Sequence, residues 1–254
     1  MKNITFLGSG NVATHFSVEL QKKGYNIIQI WSKTKKSAQE LSSKLNCEWT
    51  INLADLIKTD LIIISVKDDA IKQVISEIKD KNIPIINTSG TTNIDVFKDN
   101  KTYGVIYPLQ TLNKRTHINL NEIPLFIEAN NKKFEEVLFK IAEDLNKNSI
   151  TIMKSSDRKT LHLAAIFACN FSNHMMTISE SITEESNLDF EVLKPIINQT
   201  FKNIQNQSPK LSQTGPAIRR DLKMMKEHLK ILKNKPELAA LYSLISDNII
   251  NHHE

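Results

Sequence analysis

Cysteine is scarce: Cys47 and Cys169 are the whole supply in 254 residues, and their separation matches no metal-ligand spacing. That speaks against a disulfide framework and a cysteine-built metal site, and the expectation is two buried free thiols. Long apolar runs are missing too. The longest aliphatic stretch, Leu61-Ile62-Ile63-Ile64-Ser65-Val66, is far too short to span a bilayer and reads as a buried parallel strand. A single lysine separates Met1 from the first strand, which leaves no room for a signal peptide, so a cytoplasmic location is expected. Aromatics amount to only 6%, and the net charge of +5 is spread along the chain. This combination argues against a nucleic-acid partner; it suits a mildly basic surface that attracts anionic substrates or cofactors.

What remains is a globular composition, 40% hydrophobic and 24% charged, in a chain long enough for one large domain or two smaller ones. Residues 1 to about 128 alternate strand-like runs with helix-periodic stretches, the pattern of a parallel sheet covered on both faces. Strands are expected at 3–7, 26–31, 61–66, 83–87, 103–106 and 124–128, with a short one at 149–153. Helices are expected at 11–23, 34–45 and 131–146. From about residue 156 glycine disappears except at Gly215, and helical periods take over at 157–184, 189–206, 216–233 and 236–252. The fold class is therefore α/β: a doubly wound N-terminal sheet domain over 1–153, then an all-α domain over 154–254.

The first strand runs into Gly8-Ser9-Gly10-Asn11-Val12-Ala13, a Gly-x-Gly-x-x-Ala turn that opens a helix. Gly8 allows the tight turn, Gly10 lets the backbone approach a pyrophosphate, and Ala13 permits close helix-on-strand packing. The free amides at the helix start then face the phosphates. About twenty positions on, where an acid would bind a ribose 2′-hydroxyl, the chain reads Trp31-Ser32-Lys33-Thr34-Lys35-Lys36. Without a carboxylate there, Ser32, Lys33 and Thr34 suit the 2′-phosphate of NADP, with Lys35 or Lys36 as electrostatic support. The alternative is a solvated helix start. Two further strand ends deliver Ser65-Val66-Lys67-Asp68-Asp69 and Asn87-Thr88-Ser89-Gly90-Thr91-Thr92 to the carboxyl edge of the sheet, where the nicotinamide half would lie. Ser89 or Thr88 is placed to bond the carboxamide or substrate. The loop Tyr107-Pro108-Leu109-Gln110-Thr111 is either a further substrate contact, through Gln110, or a rigid turn.

These motifs resemble the superfamily of pyrroline-carboxylate reductases and 6-phosphogluconate or 3-hydroxyisobutyrate dehydrogenases, in which a Rossmann domain precedes an all-helical one. Gly8 to Ala13 and Ser65-Val66-Lys67 look particularly like the reductase branch. A closer resemblance, over nearly the whole chain, is to a family that joins a Rossmann-like domain to domain of unknown function 2520. It rests on Gly8 to Ala13, Asn87 to Thr92, Tyr107 to Thr111, His162 to Asn173 and Thr214 to Asp221. The resemblance implies an NADP-dependent oxidoreductase, and a homodimer formed through the helical domain.

At about 100° per residue, Lys159, His162, Asn170 and Asn173 fall within an arc of roughly 80° on one helix face. In the resembling dehydrogenases a lysine and an asparagine one turn apart handle the substrate oxygen. Lys159 and Asn173 are far more widely spaced, so those roles do not transfer directly. His162 is the suitable proton donor, unless it is a core histidine bonded to a backbone carbonyl. Lys159 would hold an acidic substrate, and Asn170 and Asn173 would orient its oxygen. Farther on, Arg219 could clamp a carboxylate or phosphate in a fork locked by Asp221. The expected activity is hydride transfer between NADP and a small anionic carbonyl or imine compound; the alternative is a non-catalytic NADP-binding sensor.

Overall fold

The computed structural model describes residues 1–116 and 118–253. Its first half interleaves β1 (Asn3–Leu7), α1 (Asn11–Lys22), β2 (Asn26–Trp31), α2 (Lys35–Leu45), β3 (Glu48–Thr50), β4 (Leu61–Ile64), α3 (Ile71–Glu77), β5 (Ile85–Asn87) and β6 (Tyr103–Pro108). After these come β7 (Leu125–Ala129), α4 (Lys132–Leu145) and β8 (Ile150–Ile152). All eight strands form one sheet in the order β3-β2-β1-β4-β5-β6-β7-β8. Every neighbouring pair is parallel except β6 and β7. An antiparallel neighbour needs no crossover helix, and the segment between β6 and β7 contains only a single 3₁₀ turn, Leu120–Glu122, among its described residues.

Alternation along the strands fills both faces. Ile4 and Phe6 of β1 and Leu61 and Ile63 of β4 point to one side, where they meet Phe16 and Leu20 of α1. Leu7, Ile62 and Ile64 point to the other, against Ile71, Val74 and Ile75 of α3. This two-sided burial explains the uninterrupted Leu61–Ile64 run. The strand β3 and helix α3 were not anticipated: each is short, and each is decided by packing rather than by a periodic stretch.

The second half is helical: α5 (Ser155–Ala165), a π-helical stretch Ile166–Phe171, α6 (Ser172–Glu185), α7 (Lys194–Asn206), α8 (Pro209–Ser212), α9 (Leu222–Ile231) and α10 (Pro236–His252). The helix expected from 216 begins only at Leu222, because Asp221 is its N-cap and accepts from Met224 N at 3.0 Å. Residues 216–220 form turns instead. The chain divides into two compact units, Met1–His174 and Met175–Glu254. The first includes α5, which the sequence assigned to the helical domain; buried Arg158 and half-buried His162 bond residues of the sheet. In the second unit, Ala217 and Met225 are the only buried hydrophobic residues among those described. No helix among the described residues is long and apolar enough to cross a membrane.

Candidate functional site

The strand order reverses at β1, which lies between β2 and β4, and ligands of such sheets bind outside the carboxyl ends of the strands at that point. A cleft of about 530 Å³ opens there. Its floor is the glycine turn, Gly8, Ser9 and Gly10; Trp31, Ser32 and Lys33 come from the end of β2, and Ser65, Val66 and Lys67 from the end of β4. Asp69, from the same loop after β4, closes the far side together with Ala70 and Gln73, which were not foreseen.

Gly8 has φ +122°, and an added Cβ would lie 2.4 Å from the Ser65 carbonyl oxygen. The turn is thus pressed against the end of β4. At Gly10 an added Cβ would meet nothing within 4 Å; this residue caps α1 without a side-chain bond, and no acid occupies the first turn. The orphan amides of α1 are therefore open to an anion. Ser9 Oγ donates to Ser32 Oγ at 2.8 Å, tying the glycine turn to the β2 end. No carboxylate comes directly after β2, and exposed Lys33 borders the cleft. This donor set fits a dinucleotide carrying a 2′-phosphate.

The remaining candidates of the glycine turn and the β2 end make contacts of their own. Asn11 spends its side chain on the loop after β6, donating from Nδ2 to the Leu112 carbonyl at 2.8 Å and accepting from Lys114 N at 3.1 Å. Val12 packs against the sheet core with buried Ala13. Thr34 is exposed and is absent from the cleft lining. Lys35 lies over the Trp49 ring, 5.7 Å from its centroid.

Beyond the end of β5 a second polar group gathers. Thr88 Oγ1 donates to Ser65 Oγ at 3.1 Å. Ser89 Oγ accepts from the backbone amides of Thr91 and Thr92 at 3.1 and 3.0 Å, so its hydroxyl shapes its own loop. Thr91 Oγ1 donates to the Asp68 carboxylate. Gly90 is buried because two rings fill the space its side chain would take: an added Cβ would lie 2.7 Å from both His162 Nδ1 and Tyr107 Cζ. Those two side chains bond each other, Tyr107 Oη to His162 Nδ1, at 2.9 Å. His162 is thus paired with a side chain, not with a backbone carbonyl.

One turn before His162, fully buried Arg158 holds this region together. Its Nη1 donates to Glu128 Oε2 at 2.5 Å, and its Nη2 to the Thr92 carbonyl at 2.6 Å. Ser155 Oγ also donates to Glu128 Oε2, at 2.6 Å, and accepts from Ile94 N at 3.0 Å. Arg158 was missed as a site residue; Tyr107 and Asp68 were given no individual role, although the loops that carry them, 107–111 and 65–69, were expected at strand ends.

The helix face expected from the sequence assumes a regular α-helix throughout. Lys159 and His162 share a face of α5, three residues apart. The π-helical stretch Ile166–Phe171 then adds one residue to the hydrogen-bonded turn, which rotates the remainder of the helix by about 100°. Asn173, exposed, is therefore carried to the other side of His162, away from Lys159, whereas exposed Asn170, inside the stretch, is turned toward the His162 face. Gln110 is exposed, its Oε1 accepting from Thr111 N at 2.8 Å. Arg219 and Asp221 lie in the second unit and form no ion pair among the described residues; Arg219 is exposed and Asp221 serves as a helix cap. Cys169 is exposed rather than buried. Cys47 is half-buried, and burial pushes its thiol up to about 11.

Residues 123–249 match the family described as domain of unknown function 2520, and residues 3–89 match the family described as NADP oxidoreductase, coenzyme F420-dependent. A "putative NADP oxidoreductase" from Bacteroides fragilis is 37% identical, with 98% of each chain covered and a TM-score of 0.92. The chain belongs to the domain 2520 family. This family member is an oxidoreductase with a Rossmann-like N-terminal domain. A Thermotoga maritima protein has the same fold at 21% identity and TM-score 0.71, covering 98% of both chains. So does a Myxococcus stipitatus imine reductase in complex with NADP+, at 14% identity and TM-score 0.65, over 99% of this chain and 95% of that one. No protein of curated function matches the chain.

Proposed function

We propose that this oxidoreductase transfers hydride between NADP and a small anionic carbonyl or imine compound, or runs the reverse oxidation on the hydroxy or amino compound. The observation that carries this reading is the Tyr107–His162 pair seated on Gly90, beside the loops that end β4 and β5. The cofactor supplies the hydride chemistry. The chain's own groups bind and orient: the α1 amides hold the pyrophosphate, Ser32 and Lys33 meet the 2′-phosphate, and His162 bonds the heteroatom that gains a proton. Lys67 at the cleft and Lys159 on the His162 face favour an anionic substrate. The imine reductase neighbour supports the substrate class through its fold.

Two measurements test the reading. In a fluorescence titration NADPH should bind at least about tenfold more tightly than NADH, a difference of ~1.4 kcal/mol, with Lys33→Ala removing most of that preference. Equal binding of the two would sink the assignment. In a screen of small keto acids and cyclic imines for NADPH oxidation, His162→Ala should lower kcat by roughly 10²–10⁴-fold. Unchanged turnover would remove His162 from the mechanism.

The partner that fits the second unit is another copy of this chain. Ile196 is 65% exposed, Ile231 74% and Leu244 69%; they stand on three different helices. Exposed apolar surface of this kind marks an interaction face, and a self-complementary helical surface related by a two-fold axis would cover it.

A further inference from the structure

The role given to His162 requires its proton to be on a particular ring nitrogen, and the second nitrogen's partner decides which one. We infer that Tyr107 is a positioning residue that holds neutral His162 in the tautomer with its proton on Nε2, the nitrogen left free for a substrate oxygen or nitrogen. The catalytic meaning of this tautomer rests on the proposed role of His162 as the group that bonds the substrate heteroatom.

The argument begins with the phenol. Tyr107 is only 8% exposed on β6, packed with Val105 and Phe126. Burial raises its ionisation above the ordinary tyrosine range, so the side chain keeps its proton. Its one hydrogen-bond partner among the described residues is His162 Nδ1. If Nδ1 carried a hydrogen, it would donate to the Tyr107 oxygen and leave the buried O–H without an acceptor, a loss of about 1–3 kcal/mol. If the O–H donates to Nδ1, both groups are satisfied. The neutral imidazole then has its hydrogen on Nε2.

The surroundings fix this arrangement. The rings meet edge to face, with centroids 5.9 Å apart and planes at 63°, in a notch that exists because residue 90 has no side chain. Arg158 ties the α5 turn before His162 to the same loop through the Thr92 carbonyl. Neither ring can turn away without disturbing that loop. In this state His162 offers the substrate a neutral N–H that withdraws charge from the bond receiving hydride, a task separate from anchoring the cofactor.

The test is ¹⁵N NMR of histidine-labelled protein at a pH where His162 is neutral, with the resonances assigned by their absence in His162→Gln. The wild type should show a pyridine-type Nδ1 and a pyrrole-type Nε2. Tyr107→Phe, which keeps the ring and removes the hydroxyl, should admit the second tautomer. The same variant should keep NADPH affinity within twofold of the wild type while kcat falls by about tenfold. A protonated Nδ1 in the wild type, or an unchanged tautomer in Tyr107→Phe, overturns the inference. The spectra need no substrate, so loss of the His162 catalytic role in the turnover screen would leave this result separately readable. Gly90→Ala supplies an independent variant: crowding the pair should perturb the His162 resonances, and an unperturbed spectrum counts against the notch.

Discussion

Arg158 shows how one buried side chain can organise a site without touching a ligand. Its guanidinium is fully buried and joins Glu128, the Thr92 carbonyl and Ser155 Oγ. Removing one partner of a buried pair leaves the other charge uncompensated, which is far more costly than the pair is worth. Arg158→Met should therefore lower unfolding stability by ~3–5 kcal/mol, read as a reduced urea midpoint. A loss below about 1 kcal/mol would mean that solvent reaches Glu128 and replaces the pair. Arg158 is hidden in the sequence because an arginine in a charged helix start reads as a solvated face. Asp221 misleads in the opposite direction: its short carboxylate looks like a partner for Arg219, yet it bonds a backbone amide of its own helix.

At the scale of elements, ends mattered more than middles. The strands β1, β2, β4 and β5 lie within about two residues of their expected positions, because two-sided burial demands β-branched and aliphatic runs. Helix ends were less legible, since capping depends on which side chain reaches an orphan amide. For α9 the expected outcome is specific: Asp221→Ala should destabilise the protein by ~1 kcal/mol, whereas Arg219→Ala should leave its melting temperature unchanged. Circular dichroism melts of both variants would decide it, and equal losses would restore a shared role for the two residues. The π-helical stretch Ile166–Phe171 was invisible beforehand because an i→i+5 turn has no periodic signature of its own. Its consequence is specific: a single added residue turns Asn173 away from the face shared by Lys159 and His162 and brings Asn170 toward it.

For the whole molecule, the contrast between the units is the main fact. The first unit buries aliphatic clusters on both faces of its sheet. The second leaves Phe201, Ile204, Leu222 and Ile245 exposed in addition to Ile196, Ile231 and Leu244, more apolar surface than a lone helical unit should show to water. Sedimentation equilibrium should give twice the chain mass, and Ile196→Glu with Leu244→Glu should shift it toward the monomer. A monomeric wild type at micromolar concentration would refute the pairing.

The sequence by itself determined the glycine turn, the strand-helix alternation and the missing acid after β2, because these are local properties of backbone freedom, burial period and charge. Only the tertiary structure decided that Gly90 makes room for Tyr107 and His162 and that Arg158 locks their loop. Those contacts join residues 55 and 66 positions apart, and no local pattern records a partner brought in from another strand. The opening turn at Gly8 belongs to both levels: its positive φ is local, but its close fit against the Ser65 carbonyl exists only once β1 and β4 lie side by side.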